Sequence, residues 1–215
     1  MQAMDASQGT QLRESVRLAY SAIAERPDED PLFPTGRALA LGLGYSPELL
    51  DTLPAVAVET FCGVSNVSVF ADIPEGAHVL DLGCGAGLDL LIAARRVGRA
   101  LPDGLPDVTS GKSGKRVIGV DFSRAMLERA RRAVAEAGAE NVNLLEAAAE
   151  DLPLESGSVD VALANGIFNL NPARESIFRE LARVVRPEGA VFAAELILRE
   201  PISVEESIDP ANWFS

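Results

Sequence analysis

Across 215 residues, 32 Asp and Glu oppose 19 Lys and Arg, a formal net charge of −13 that repels a phosphate backbone and argues against nucleic acid as substrate. The length suits one sizeable α/β domain with a short extension and not two full domains. No apolar run approaches the roughly 18 residues of a membrane span, Met1 to Asp5 lack the basic and apolar regions of a signal peptide, and two cysteines cannot form a disulfide framework, so a cytoplasmic, reducing location is expected.

In chain order, residues 1 to 10 are polar and expected to fray. Leu12, Val16, Ala19 and Ile23 then mark one face of a helix ending near Glu25, with Tyr20 beside the stripe. Arg26 to Gly36, with Pro27, Pro31, Pro34 and three acids, reads as a surface loop. A short helix is expected around Arg37 to Leu43. Ser46-Pro47-Glu48 has the N-cap and first-turn proline of another, and Pro54 restarts a third toward Phe61. Residues 1–75 therefore form a helical extension, and its last part, Phe61-Cys62-Gly63-Val64-Ser65-Asn66, suits either a connector or a segment folded over a pocket mouth.

The organising stretch is His78 to Asp89. An apolar run fitting a buried strand passes through Gly83-Cys84-Gly85-Ala86-Gly87 into a helical pattern with Leu88, Leu91 and Ile92. Glycines there allow a sharp turn and close approach of a ligand to the backbone. Val117 to Asp121 is the next strand, and its terminal carboxylate falls where α/β folds hydrogen-bond a ribose diol. Between them, Gly98 to Lys115 lacks periodicity and is expected to be disordered, at the sheet edge away from the ligand.

Ser123 is placed to cap the following helix, whose inner face is Met126, Ala130, Ala133 and Val134 and whose end is Gly138. Val142 to Leu145 is a third strand and Val159 to Ala164 a fourth. Asn171-Pro172 then starts a helix with Ile177, Phe178, Leu181, Val184 and Val185 as its stripe, and Pro187-Glu188-Gly189 turns into a fifth strand, Ala190 to Ile197. This alternation specifies a Rossmann-like parallel sheet covered on both faces.

With Asp81 two residues before the first glycine, the turn resembles motif I of the class I S-adenosylmethionine (SAM) methyltransferases. That resemblance covers roughly residues 76–201 as a catalytic core, implies the strand order 3-2-1-4-5, and leaves 202–215 as a tail. A narrower likeness reaches back to about Val16. The extension, the Phe61 to Asn66 segment and the run Asn165 to Leu170 look like those of arsenite methyltransferases, where similar segments frame the acceptor. The resemblance implies SAM as cofactor, with Asp81, Gly83, Cys84, Gly85 and Gly87 at its amino acid end and Asp121 on the ribose. It sets Phe122 and Met126 beside the adenine, Ala149 and Glu150 in contact with it, Asn165 near the methionine carboxylate, and Tyr20 as an aromatic residue that helps close the site.

Departures from that family matter as much. Its cysteines, soft ligands for trivalent arsenic, fall at the Gly63-Val64-Ser65 segment and at Gly166, where this chain has none; Cys62 is displaced from the first. The acids Glu146, Glu150 and Asp151 lack a histidine and do not read as a metal site. His78, the only histidine, starts the first strand and reads as structural. Without an imidazole base, a small acceptor that is already nucleophilic is favoured, a thiol or a trivalent metalloid species. The alternatives are a carbon or oxygen methyltransferase of the quinone-biosynthesis type and a catalytically silent SAM-binding module. The two further strands of the family sheet are missing here, so the fifth strand is expected to leave an exposed edge. That edge would pair with a second copy in a homodimer, unless the natural protein is longer.

Overall fold

The computed structural model describes residues 6–26, 33–98, 116–169, 171 and 173–197. Among these residues five strands, β1 (Val79–Leu82), β2 (Val117–Asp121), β3 (Val142–Glu146), β4 (Val159–Asn165) and β5 (Val185–Ala194), form one parallel Rossmann-like sheet in the order β3-β2-β1-β4-β5. Val79 at the start of β1 lies opposite Val117 of β2 and Val161 of β4, so the central strands are in step and their carboxyl ends fall together.

Alternation along each strand sorts the core into two layers. Val79, Val117, Val161 and Leu163 point to one face, where Leu90, Ala93, Ala94 and Val97 of α6 (Leu88–Val97) and Leu127 of α7 (Arg124–Ala137) cover them. Leu80, Leu82, Ile118, Val120, Ala162 and Ala164 point to the other, under Ile177, Leu181 and Val184 of α8 (Arg174–Val184). Because both faces are covered, β1 and β2 are buried at every position, and a continuous apolar run results.

Among the described residues five helices precede the sheet: α1 (Ala6–Glu25), α2 (Gly36–Gly42), α3 (Pro47–Asp51), α4 (Ala55–Val58) and α5 (Val67–Phe70). Residues of α2 to α4 share an apolar cluster with Leu88, Leu91 and Ile92 of α6 and Ala133 of α7, so the extension is packed onto the sheet domain. Arg129 of α7 fastens it further. Its guanidinium donates to the Ala24 carbonyl (3.0 Å) and to Glu59 (2.8 Å), joining the end of α1 to the segment after α4.

Several boundaries differ from the sequence expectations. Helix α1 runs back to Ala6 instead of fraying to residue 10, because propagating a helix already nucleated by its apolar face adds a hydrogen bond per residue. The single turn α5 lies in a stretch where no helix was expected. Helix α8 begins at Arg174, not at Asn171: the Asn171 side chain accepts from the Ala173 amide (2.7 Å) and closes a local turn first. Phe178 is 53% exposed, and its ring stacks on Phe168 with centroids 4.7 Å apart instead of joining the buried stripe. Val185 belongs to β5, which starts five residues early and ends at Ala194. Pro187 to Gly189, expected as a turn before the strand, falls in an irregularity within it: Val185 pairs with Val159 and Ala190 with Val161. Among the described residues β5 is an edge strand. The expectations for Gly98 to Lys115, apart from Gly98, and for the tail after Ile197 lie outside the described residues.

Candidate functional site

The carboxyl ends of β1, β2 and β4 open into a cavity of about 580 Å³, within the roughly 300–1,000 Å³ of small-molecule and cofactor sites. Its floor is Asp81 to Asp89. The glycine turn is needed sterically at Gly83, where φ is +75° and a Cβ would lie 2.5 Å from Ile167 Cγ2. Val120, Asp121 and Phe122 form a second side, Ala147 to Glu150 a third, and Asn165, Gly166 and Ile167 a fourth. The extension supplies the remaining wall through Glu14, Val16, Arg17 and Tyr20 of α1, Ala57 of α4, and Thr60 to Gly63.

Nearly every residue singled out from the sequence reaches this cavity: Tyr20, Asp81, Gly83, Cys84, Gly85, Gly87, Asp121, Phe122, Ala149, Glu150 and Asn165 all line it. Met126 does not. Helix α1 packs on α7 and buries the Met126 side chain completely, against Ile23, Ala24 and Ala86, where the sequence expectation set it beside the adenine. His78 sits at the opposite end of β1, its amide donating to Asp160 Oδ2 (2.6 Å), away from the cavity. Among the described residues no group of His, Cys, Asp and Glu is placed to hold a metal ion.

Asp121 ends β2 and holds the turn. Its Oδ2 accepts from the Gly85 amide (2.9 Å) and its Oδ1 from the Ser123 amide (2.8 Å), with the Phe122 amide also turned to the carboxylate, and part of its four-lone-pair capacity stays unused. Burial pushes its carboxyl up, against the pull of these amides. Asp81 is pushed well above the usual carboxylate range, first by burial and then by repulsion from Asp89 and Asp121. Its Oδ2 is buried with no hydrogen-bond partner among the described residues. Among the described residues the lining acids Glu14, Asp81, Asp89, Asp121 and Glu150 outnumber the one lining base, Arg17, which donates to Glu14 (2.9 Å). The lining is therefore acidic on balance.

Neither cysteine is activated. Burial, then the Asp121 charge, raises the Cys62 thiol to about 12 and pushes Cys84 well up as well. Tyr20 packs on Phe33 with ring centroids 5.5 Å apart, and burial raises its phenol. The positions where the resemblance puts metalloid-binding cysteines adjoin one another: a Cβ at Gly166 would lie 3.1 Å from Val64 Cγ1. Asn171 donates to Glu150 Oε2 (3.1 Å), steadying the third side. Sequence reasoning missed Thr60, Asp89 and Asn171. Of these only Asp89 carried a local signal, an acid in the first turn of a helix, and that signal reads equally as a favourable dipole contact.

Sheet order, glycine turn and the acid ending β2 define a class I SAM-dependent methyltransferase fold, whose cofactor is SAM. A methyltransferase domain model matches residues 73–207, and the chain belongs to that family. The arsenite methyltransferase of Halobacterium salinarum is 35% identical over 170 residues, covering 78% of this chain and 39% of that protein. The demethylmenaquinone methyltransferase of Lactococcus lactis is 34% identical over 120 residues, covering 56% of this chain and 42% of that one. Among solved structures, the arsenic(III) SAM methyltransferase of Chlamydomonas reinhardtii is 27% identical with a TM-score of 0.52, covering 75% of this chain and 50% of that one. The chain spans no more than half the length of any of these three proteins.

Proposed function

We propose that this chain binds SAM in the cavity and transfers its methyl group to a small, soft nucleophile, a thiol or a trivalent metalloid species. The observation that carries the cofactor assignment is the pair of buried acids at neighbouring strand ends, Asp81 with an unpartnered oxygen and Asp121 with acceptor capacity to spare. An acid-lined cavity fits a cofactor that carries a sulfonium and an ammonium group. Asp81 then holds the ammonium, with Gly83, Cys84, Gly85 and Gly87 presenting backbone to the same end. Asp121 accepts from the ribose hydroxyls, Phe122 covers the adenine, and Ala149 and Glu150 contact its edge. Tyr20 closes the cavity from α1, so residues 1–75 serve as a cap on a core of residues 76–201.

When bound, SAM supplies an electrophilic methyl group and its own leaving group, the neutral thioether. The chain's residues therefore need only to align the acceptor and exclude water. No histidine lines the cavity among the described residues, which supports an acceptor that enters already nucleophilic. Excess acidic charge favours a neutral or cationic small molecule over nucleic acid. No helix among the described residues is long and apolar enough to cross a membrane, and we assign the protein to the cytoplasm.

Inorganic arsenite is expected to turn over weakly, because Val64 and Gly166 offer no thiolate and Cys62 and Cys84 are held protonated at neutral pH. A second reading, methylation of a quinone precursor at carbon or oxygen, is supported by the likeness to the Lactococcus lactis protein. Labelled SAM with a panel of small thiols, arsenite and phenols separates the two. Turnover confined to phenols overturns the soft-nucleophile reading; SAM binding without turnover on any acceptor favours a silent module. Installing Val64→Cys together with Gly166→Cys should raise arsenite turnover, at a cost of roughly 1–2 kcal/mol for a side chain at the Gly166 φ of +76°.

A further inference from the structure

Between the glycine turn and the end of β4 lies a half-buried polar cluster centred on Asn165. The Asn165 Oδ1 accepts from the amides of Val64 (2.8 Å) and Ser65 (3.1 Å). Its Nδ2 donates to the Ser65 carbonyl (2.7 Å) and to Asp89 Oδ2 (2.9 Å). A carboxamide offers two donors and two acceptor lone pairs, and all four are used. Behind it, Asp89 Oδ1 accepts from the Tyr45 hydroxyl (2.6 Å), the Ser68 amide (3.3 Å) and the Ser68 hydroxyl. Contact is so close that a Cβ on Gly63 would lie 2.5 Å from Asn165 Nδ2. The side chain thus satisfies the N–H groups of residues 64 and 65 and the carbonyl of residue 65, as a neighbouring strand would.

We propose that Asn165 is a positioning residue and not a cofactor ligand: braced by Asp89, it clasps residues 63–65 as a fixed wall of the cavity and acts through that segment. This rests on the SAM-binding reading above for its function, while its geometry stands without it. An aspartate at 165 would keep both acceptor bonds, lose both donors and set a second carboxylate against Asp89. The titratable groups facing Asp89 are then Tyr45 and Asp81, with Asp121 beyond Asp81, and none of them is a cation that would offset the repulsion. A single proton shared by the new pair restores one donor, so the clasp in that variant should close on acidification.

Amide hydrogen exchange at Val64 and Ser65, measured beside calorimetry with S-adenosylhomocysteine, tests this. In Asn165→Ala we expect exchange at least about tenfold faster than wild type, with the dissociation constant changed by less than about threefold. In Asn165→Asp, exchange relative to wild type should be fast at pH 8 and recover at pH 5. Unchanged exchange in both variants overturns the proposal. So does a loss of affinity in Asn165→Ala as large as that of Asp121→Ala with exchange unchanged, which makes Asn165 a ligand. If wild type binds no S-adenosylhomocysteine, the SAM-binding reading fails, and the exchange data still decide the clasp. Should Asn165→Ala not fold, the pH dependence of Asn165→Asp decides alone, and exchange independent of pH counts against it.

Discussion

The ends of β2 and β4 each present one polar side chain to the cavity, and the two differ in what they have left to offer. Asp121 receives the Gly85 amide on one oxygen and the Ser123 amide on the other, and its carboxylate keeps acceptor capacity to spare. Asn165 has spent every donor and acceptor on residues 64 and 65 and on Asp89. Both line the same cavity and both match motif positions, so proximity alone does not separate them. Valence does: a group with hydrogen-bonding capacity to spare can recognise a ligand, and a saturated one builds the wall.

The largest expected effect that sharpens this contrast is on Asp121. Removing its charge-assisted acceptors in Asp121→Ala should cost about 1.5–3 kcal/mol, a weakening of S-adenosylhomocysteine binding by roughly 10- to 150-fold in calorimetry. Unchanged affinity would erase the distinction between the two ends and with it the ribose assignment.

A smaller effect is expected at Asp81, where capacity is not merely spare but unmet. Its carboxyl is raised in the fold, so the folded state holds a proton that the unfolded chain releases. The stability this confers is complete below the ordinary carboxylate range and lost as pH rises through the raised value. At neutral pH the ligand-free protein therefore carries a cost that Asp81→Asn relieves, by roughly 1–3 kcal/mol, while cofactor affinity falls. Thermal denaturation between pH 4 and 8 should show the variant's advantage growing with pH. Glu180 runs the opposite way, its carboxyl lowered by Arg183, so the difference between variant and wild type is the informative curve. A variant less stable than wild type at pH 7 contradicts the account.

The smallest effect should come from Thr60, whose hydroxyl is buried at the cavity wall without a partner among the described residues. Thr60→Val replaces it by a methyl group of similar size and should stabilise the ligand-free protein by about 1 kcal/mol, read as a higher midpoint in denaturant. A lower midpoint would mean that the hydroxyl does have a protein partner.

What the chain order alone determined is everything carried by local pattern. The run from Val79 through Gly87, the acid closing Val117 to Asp121, and the caps Ser46 and Ser123 are short-range signals, because strand burial, glycine turns and helix caps depend on neighbours a few residues away. They were enough for the sheet, its order by resemblance, and most of the cavity floor. Tertiary packing decided the rest. Met126 satisfies the same helical periodicity whether it faces a ligand or α1, and only the docking of α1 on α7 settles which. Arg186 to Gly189 has the composition of a turn, yet pairing on either side with Val159 and Val161 keeps it within β5. The role of Asn165 depends on residues 63–65 and Asp89, some 100 and 76 positions away along the chain. Hydrogen-bond saturation is a property of partners brought together by folding, and no spacing in the sequence encodes it.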